Sequence, residues 1–331
     1  MGRPLRIEGA GLWYHVMCRG NRGCCIFDDE KDFLAFLGRL ATVVSALHVE
    51  IHAYALMANH VHLFVRTREA NLGRFMQRLV SGYTTWYNFR HGTCGHLFQG
   101  RYKALLVEKN AYGSEVSRYI HLNPVRIAGC GKQSVAQRQA QLRDYRWSSY
   151  RAMIGLAKAE EWLVREDTLG RFGDTLKEQQ QAYAVYVERG LIEDITDPAE
   201  EAKAQSVLGR DRFLDRIRRI LQQRPQRDVD TAHKRRQLLS ESIAQALARV
   251  ARVYKVTPEE LRRTARGRGG NEARQVALWH ARERCAGIVS AREIGRALGG
   301  VTGCAVVVAH QRMTQRLQHD QRLRRKLARL S

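Results

Sequence analysis

The sequence predicts an α+β protein, in which a ferredoxin-like antiparallel sheet with helices is followed by an all-α helix-turn-helix domain. Up to Pro124, the apolar patterns follow the order strand, helix, strand, strand, helix, strand, helix. The first six of these elements have the order of a split βαβ sheet. The last hundred residues carry only helical patterns, including two helices separated by a turn at Gly299 and Gly300, as in a helix-turn-helix.

Each element of the first part follows from the spacing of its apolar residues. Strands are predicted at residues 12–20, 49–57, 60–67 and 101–108. Helices are predicted at residues 28–48, 71–91 and 111–123. Asp28 or Asp29 should cap the first helix, and Pro124 should end the third, because the residue before proline is pushed out of helical geometry. The first two helices should cover one face of the sheet, which leaves the other for the third helix and a site.

The chain of 331 residues is long enough for several domains. The patterns divide it into a sheet domain at 1–150, a helical connector at 151–230 and a helix-turn-helix domain at 231–331. In the last segment, Thr257 with Glu260 and Ser290 with Glu293 have the spacing of capping boxes.

The formal net charge of +23 predicts a polyanionic partner, most commonly nucleic acid. Residues 231–331 contain 22 Lys or Arg and 7 Asp or Glu, so they carry +15 of that charge. No window approaches the roughly 18 consecutive apolar residues of a membrane span. The seven cysteines have no metal-binding spacing, and no export signal is evident. We therefore expect a cytoplasmic, nucleoid-associated protein with no membrane partner.

His60 and His62 stand two residues apart in a strand that is otherwise apolar, so both imidazoles should point to the same face. Such a pair can hold a metal ion, although two polar residues on a solvated face have the same pattern. Asn123 could supply a third ligand. It lies one helical turn after Tyr119, and both would point at the histidines if their helix crosses the open face. Tyr119 could equally be a core residue, because it shares a helical stripe with Val116.

A metal ion, a tyrosine and a basic protein together indicate phosphodiester chemistry. The cation would polarise the phosphodiester while the phenolic oxygen of Tyr119 attacks phosphorus. The phosphotyrosine product conserves the energy of the broken bond, so that rejoining requires no nucleotide, and the chain has no phosphate-binding P-loop. Arg101 and Lys103 alternate with aromatic residues as on a single-strand surface. They and Arg126 are candidate DNA-binding residues, although solvated charges have the same pattern.

Several motifs resemble known transposases. "NHVHLFV" resembles the His-hydrophobe-His motif of the HUH superfamily, and "RYIHLNPVR" resembles the tyrosine helix of single-tyrosine transposases of the IS200 type. "FQGRYKALLVE" and "YRWSSYRA" are similar to segments of REP-associated tyrosine transposases, and the resemblance covers about residues 1–190. It implies cleavage of single-stranded DNA beside a palindromic hairpin, a 5′ phosphate held on Tyr119, and Mg²⁺ or Mn²⁺ at His60, His62 and Asn123.

The segment from "VTPEELRRTARGRGG" to "VSAREIGRALGG" is similar to the duplex-binding domain of the bacterial replication initiator DnaA. The resemblance implies a basic loop that grips phosphate and a following helix that carries Arg274. The loop arginines would be Arg262, Arg263, Arg266 and Arg268. Residues 301–305 lack the polar run with which that family reads bases, so its cognate site should not be recognised. A generic cationic helical domain that binds phosphates is the alternative.

The expected function is that of a metal-dependent endonuclease and strand transferase for single-stranded hairpin DNA, with the C-terminal domain binding duplex DNA. The active form would be a monomer or a homodimer. Two alternatives stay open from the residues alone: a DNA-binding regulator with an inactive nuclease site, and an HUH replication initiator or relaxase.

Overall fold

The computed structural model describes residues 7–126, 133–193, 195–202, 206–222, 243–263, 272–285 and 289–330. They fall into two compact units, of which the first ends at Ile220 and the second begins at Leu221. The first contains the sheet, and the elements of the second are helices. The division into three domains at residues 150 and 230 stays a prediction.

The sheet of the first unit has five strands in the order β2-β3-β1-β4-β5. They are β1 (Leu12–Arg19), β2 (Val49–Met57), β3 (His60–Thr67), β4 (Lys103–Val107) and β5 (Val207–Leu208). The first four pair antiparallel in the order of a split βαβ sheet, which confirms the predicted fold class. β5 pairs parallel with β4 and was not predicted, because two residues are too few to show a period.

Three helices connect these strands: α1 (Glu30–Leu47), α2 (Leu72–His91) and α3 (Lys109–Leu122). The side chain of Asp29 accepts from the backbone nitrogens of Lys31 and Asp32, so the predicted cap at the start of α1 is present. α3 passes directly into a short 3₁₀ helix, Asn123–Val125, because Pro124 cannot continue the α-helical hydrogen bonding.

The register of the strands sets which side chains share a face. His15 lies opposite Phe64 of β3, and Met17 lies opposite His62. These four side chains therefore point to one face, since side chains alternate along a strand. α3 packs on this face, where Val116 belongs to the same buried cluster as Phe64. α1 instead packs against α2 and β2.

Among the described residues, the first unit also contains α4 (Val135–Asp144), α5 (Tyr150–Met153), α6 (Glu166–Leu169) and α7 (Leu176–Arg189). It contains all but the last two residues of α8 (Asp211–Gln222). Tyr150 and Tyr183 are fully buried in a second apolar cluster, together with Leu122 at the end of α3. α3 is thus enclosed between the sheet and these later helices, which restricts how it can move.

The second unit comprises α9 (Ile243–Tyr254), α10 (Pro258–Arg262), α11 (Glu272–Arg284), α12 (Ala291–Ala297), α13 (Gly303–His319) and α14 (Gln321–Leu327). Both predicted capping boxes are present, at Thr257 and at Ser290. Gly299 and Gly300, in the turn between α12 and α13, have φ values of 85° and 80°, which favour glycine. That α12 and α13 act as a helix-turn-helix stays a prediction. None of the helices in the described part of the chain has the length and apolar character needed to cross a bilayer.

Candidate active site

A cavity of about 690 Å³ opens on the α3 face of the sheet, where β1 ends and β3 and β4 begin. Its lining residues are Met17, Arg19, Asn59, His60, His62, Gln99, Arg101, Lys103, Tyr119, Asn123 and Arg126. All the site residues proposed from the first part of the sequence therefore line one cavity. Arg19, Asn59 and Gln99 were not proposed.

The two histidines lie side by side, with ring centroids 5.0 Å apart. The Nδ1 atom of His60 is 2.7 Å from Oδ1 of Asn59, and Nδ1 of His62 is 2.9 Å from Nε2 of His15. Burial lowers the pKa of His60 to about 4, and the charge of Arg19 adds to this effect. Burial, followed by the neighbouring His15 and His60, also keeps the pKa of His62 well below its usual value. Both imidazoles are therefore neutral at pH 7 and can act as metal ligands.

Tyr119 reaches the same place from α3, and its ring centroid lies 6.0 Å from that of His62. Burial raises the pKa of Tyr119 to about 12; a charge interaction and a hydrogen bond with Asp197 add to the rise, and Arg126 opposes it. The guanidinium carbon of Arg126 is 5.1 Å from the centre of the tyrosine ring. The phenol is thus protonated at neutral pH, so a nucleophilic attack must include removal of its proton.

Asn123 lies one turn beyond Tyr119, at the start of the 3₁₀ helix. Its Nδ2 atom donates to the backbone oxygen of Tyr119 at 2.8 Å, which leaves Oδ1 for another partner. Two imidazole nitrogens and one amide oxygen on the wall of a cavity fit a divalent transition cation such as Mn²⁺. The donor set and the orientation of the amide are therefore consistent with a metal centre.

The remaining wall of the cavity is basic. Arg101, Lys103 and Arg126 were proposed from the sequence, and Arg19 joins them. Arg19 could have been predicted from the alternation of side chains along β1, because Arg19 follows His15 by four residues and therefore lies on the same face of the strand. Four cationic side chains around a cavity can bind several phosphates of a nucleic-acid strand.

The side of α3 opposite the cavity is held by buried hydrogen bonds. Nδ1 of His121 lies 2.8 Å from Oη of Tyr183, and Nε2 lies 2.7 Å from Oγ of Ser149. Oγ of Ser149 also accepts from the backbone nitrogen of Tyr54 in β2 at 2.9 Å. This network gives the "YRWSSYRA" motif a physical role, since its Ser149 connects the tyrosine helix to the sheet.

The Ser149→Ala substitution is expected to lower the free energy of unfolding by about 1–3 kcal/mol, because Nε2 of the buried His121 loses its partner. Urea denaturation measures the loss. Ser148→Ala is the matched control: Ser148 is also buried in the same segment, but its hydroxyl accepts only one long bond, at 3.3 Å from the nitrogen of Tyr150. Equal losses in both variants would contradict this role of Ser149.

Buried histidines should also make the first unit sensitive to acid. His52 and His121 have no exposed surface, and burial lowers their pKa values to about 4 and about 3. An unfolded histidine binds its proton near pH 6.5, so the unfolded state takes up protons first as the pH falls. The contribution of these neutral, buried histidines to the free energy of unfolding is therefore fully present above pH 6.5, and it decreases as the pH falls towards 4. Urea denaturation at pH 7.5, 6 and 5 should show that the free energy of unfolding decreases steadily as the pH falls. The decrease should be smaller in His52→Phe. Equal free energies of unfolding at pH 7.5 and pH 5 would contradict this prediction.

A second group of potential ligands, Asp28, Asp32 and His91, lies outside the cavity, and its ligand atoms are within 4.8 Å of one another. Asp32 is already paired with Arg90 and accepts from the backbone nitrogen of Asp28 at 2.7 Å. Nε2 of His91 is 3.0 Å from the same carboxylate. Arg90 and His91 of α2 therefore already contact the carboxylate of Asp32 in α1, so the group links these two helices.

The proposed DNA-binding arginines of the second unit are only partly described. Arg262 and Arg263 are exposed at the end of α10, whereas Arg266 and Arg268 lie outside the described residues. The guanidinium of Arg274 donates to the backbone oxygen of Leu298 at 2.6 Å, in the turn before α13. Arg274 therefore orients this turn, and its contact with DNA stays a prediction.

Residues 10–123 match the family described as "Transposase IS200 like". This segment is therefore similar to IS200-like transposases, and we refer to it as the IS200-like domain. The match runs from just before β1 to Asn123, and it includes both histidines and Tyr119. The family resemblance read from the motifs is thus confirmed, and it places the IS200-like domain among DNA-processing domains. The resemblance of the C-terminal segment to DnaA stays a prediction.

The chain matches no curated protein. Among solved structures, it is similar to a REP-associated tyrosine transposase bound to a REP hairpin. The two are 16% identical, the similarity covers 50% of this chain and 98% of that chain, and the TM-score is 0.38.

Proposed function

We propose that the IS200-like domain is a metal-dependent endonuclease and strand transferase that cleaves single-stranded DNA through a 5′-phosphotyrosine at Tyr119. One observation carries the proposal: two histidines of β3 and, from α3 and the 3₁₀ helix that follows it, a tyrosine and an asparagine line the same basic cavity. A merely structural tyrosine would not need to share a cavity with a set of metal ligands.

His60, His62 and Asn123 would hold Mg²⁺ or Mn²⁺, and two imidazoles suit Mn²⁺ at least as well as Mg²⁺. The cation, when bound, would polarise the phosphodiester and offset the charge that develops on its oxygens. The phenolic oxygen of Tyr119 attacks phosphorus, the bond from phosphorus to the 3′ oxygen breaks, and the tyrosine proton ends on the released 3′ hydroxyl. Attack by a 3′ hydroxyl on the phosphotyrosine reverses these changes and joins a new strand.

The basic wall positions the strand for this attack. Arg19, Arg101 and Lys103 would bind phosphates beside the scissile bond, and Arg126 lies against the tyrosine ring. Tyr119 belongs to the same chain as the histidines, so one chain suffices for one cleavage, whether it acts as a monomer or as half of a homodimer.

The hairpin substrate follows from the motif resemblance and agrees with a basic cavity. The second unit, where much of the positive charge is concentrated, would bind duplex DNA. These two DNA contacts would associate the protein with the nucleoid. A regulator with an inactive site is disfavoured, because all four candidate catalytic side chains are present in the cavity. A replication initiator would use the same chemistry. The position of the gene distinguishes the two functions: repeated palindromes beside it favour a transposase, and a plasmid origin beside it favours an initiator.

Labelled single-stranded hairpins from DNA flanking the gene, incubated with the protein and Mn²⁺ and run on a denaturing gel, test the proposal. A protein-linked band that requires the metal is expected. If hairpins bind but no such band forms with any divalent metal, the protein is a DNA-binding module and the proposed enzyme activity is wrong.

A further inference from the structure

We propose that Asn59 and His15 are positioning residues of the metal centre, which fix His60 and His62 in the tautomer that presents Nε2 to the cation. The inference rests on the proposed function and adds two residues that the motifs did not mark as functional. Each metal histidine uses its Nδ1 atom in a hydrogen bond within the protein. That leaves one ring nitrogen of each free for the cavity.

The amide of Asn59 has only one consistent orientation. Its Nδ2 atom is 3.1 Å from the backbone oxygen of Gly23, which can only accept a hydrogen bond. Oδ1 must therefore face His60, at 2.7 Å from Nδ1. An amide oxygen cannot donate, so the proton is on Nδ1 of His60 and the lone pair is on Nε2.

Asn59 is itself held in place. Its backbone oxygen accepts from the nitrogen of Gly20 at 2.8 Å, and its side chain bonds Gly23 at the other end of the same turn. The "RGNRG" turn after β1 thus fixes the residue that orients His60. Ligand orientation is then set before any cation enters.

His15 acts on His62 in the same way from the neighbouring strand. Its Nε2 atom is 2.9 Å from Nδ1 of His62, and the two rings are stacked with 21° between their planes. His15 is 7% exposed and is not among the residues that line the cavity, so it reaches the cation only through His62. For His62 to offer Nε2, its Nδ1 must donate and Nε2 of His15 must accept.

Partners of this kind orient metal ligands, and their loss typically weakens metal affinity 10–100-fold. Mn²⁺ binding to the full chain without DNA, followed by the electron paramagnetic resonance signal of free Mn²⁺, measures the effect. Asn59→Ala and His15→Ala are expected to bind Mn²⁺ about 10–100-fold more weakly than the wild type. His15→Gln should recover most of the affinity, because its side-chain oxygen can accept from His62. Saturating Mn²⁺ should restore adduct formation in all three variants.

Asn88→Ala is the matched control. The Asn88 side chain also bridges a loop, since it bonds the backbone oxygen of Gly95 and accepts from the hydroxyl of Thr93, but it does not line the cavity. Its Mn²⁺ affinity should equal that of the wild type. Thermal melting of each variant separates a general loss of stability from a specific loss of affinity.

Wild-type Mn²⁺ affinity in both alanine variants would overturn the inference. A His15→Gln variant as weak as His15→Ala would overturn the accepting role of His15. If the wild type binds Mn²⁺ but forms no adduct, the proposed function fails while the positioning roles are still measured by the binding experiment. If the wild type binds no Mn²⁺, both fail.

Discussion

Replacing Tyr119 with phenylalanine is expected to abolish the covalent protein–DNA adduct and to leave hairpin binding near the wild-type level. The substitution removes only the phenolic oxygen, and the ring that packs beside His62 and Arg126 remains. Loss of a nucleophile that no neighbour can replace should lower adduct formation about a thousandfold or more. Denaturing gels measure the adduct, and native gels with the same labelled hairpin measure binding.

Tyr112→Phe is a suitable control for this experiment. Tyr112 lies on the same helix, packs against the same apolar cluster and does not line the cavity. It should form adduct as the wild type does. Persistent adduct in Tyr119→Phe, or an equal loss in both variants, would show that Tyr119 is not the nucleophile.

Replacing His60 with alanine is expected to remove both Mn²⁺ binding and adduct formation. It deletes one of the three ligands proposed for the cavity, so the loss of affinity should exceed the roughly 10–100-fold effect of changing a residue that merely orients a ligand. Millimolar Mn²⁺ should therefore fail to restore the adduct, in contrast to its effect on Asn59→Ala. The resonance signal of free Mn²⁺ and the denaturing gel give the two measurements.

His60 is a cleaner position for this test than His62, which is 2% exposed and packs in the sheet. His96→Ala serves as the control, because His96 is exposed and does not line the cavity. A His60→Ala variant that binds Mn²⁺ as tightly as the His96→Ala control would exclude His60 as a ligand.

The local parts of this site could be predicted from the sequence because each lies within one element. His60 and His62 share a face of one strand, and Tyr119 and Asn123 share one turn of a helix, so their spacing alone groups them. The order of strands and helices along the chain then predicted a split βαβ sheet, and the observed strand order confirms this topology.

Contacts between elements could not be predicted in the same way. The bond from His15 to His62 joins residues 47 positions apart and depends on the register of β1 against β3. The bond from His121 to Tyr183 depends on how α7 packs against α3, for which the sequence carries no periodic signal. Residues that orient others are therefore the ones that sequence patterns miss, since their role is defined only by the neighbour they contact.

The two residues of β5 also bear on the solubility of a shortened chain. The backbone nitrogens of Leu106 and Glu108 in and after β4 donate to the oxygens of Ser206 and Leu208, both at 2.8 Å. A chain cut near residue 190, where the motif resemblance ends, would leave these donors open along an apolar edge strand. Open edges of this kind pair with strands of other molecules and lead to aggregation. Residues 206–208 thus protect the edge of the sheet from self-association, although they lie far beyond the segment that matches the transposase family.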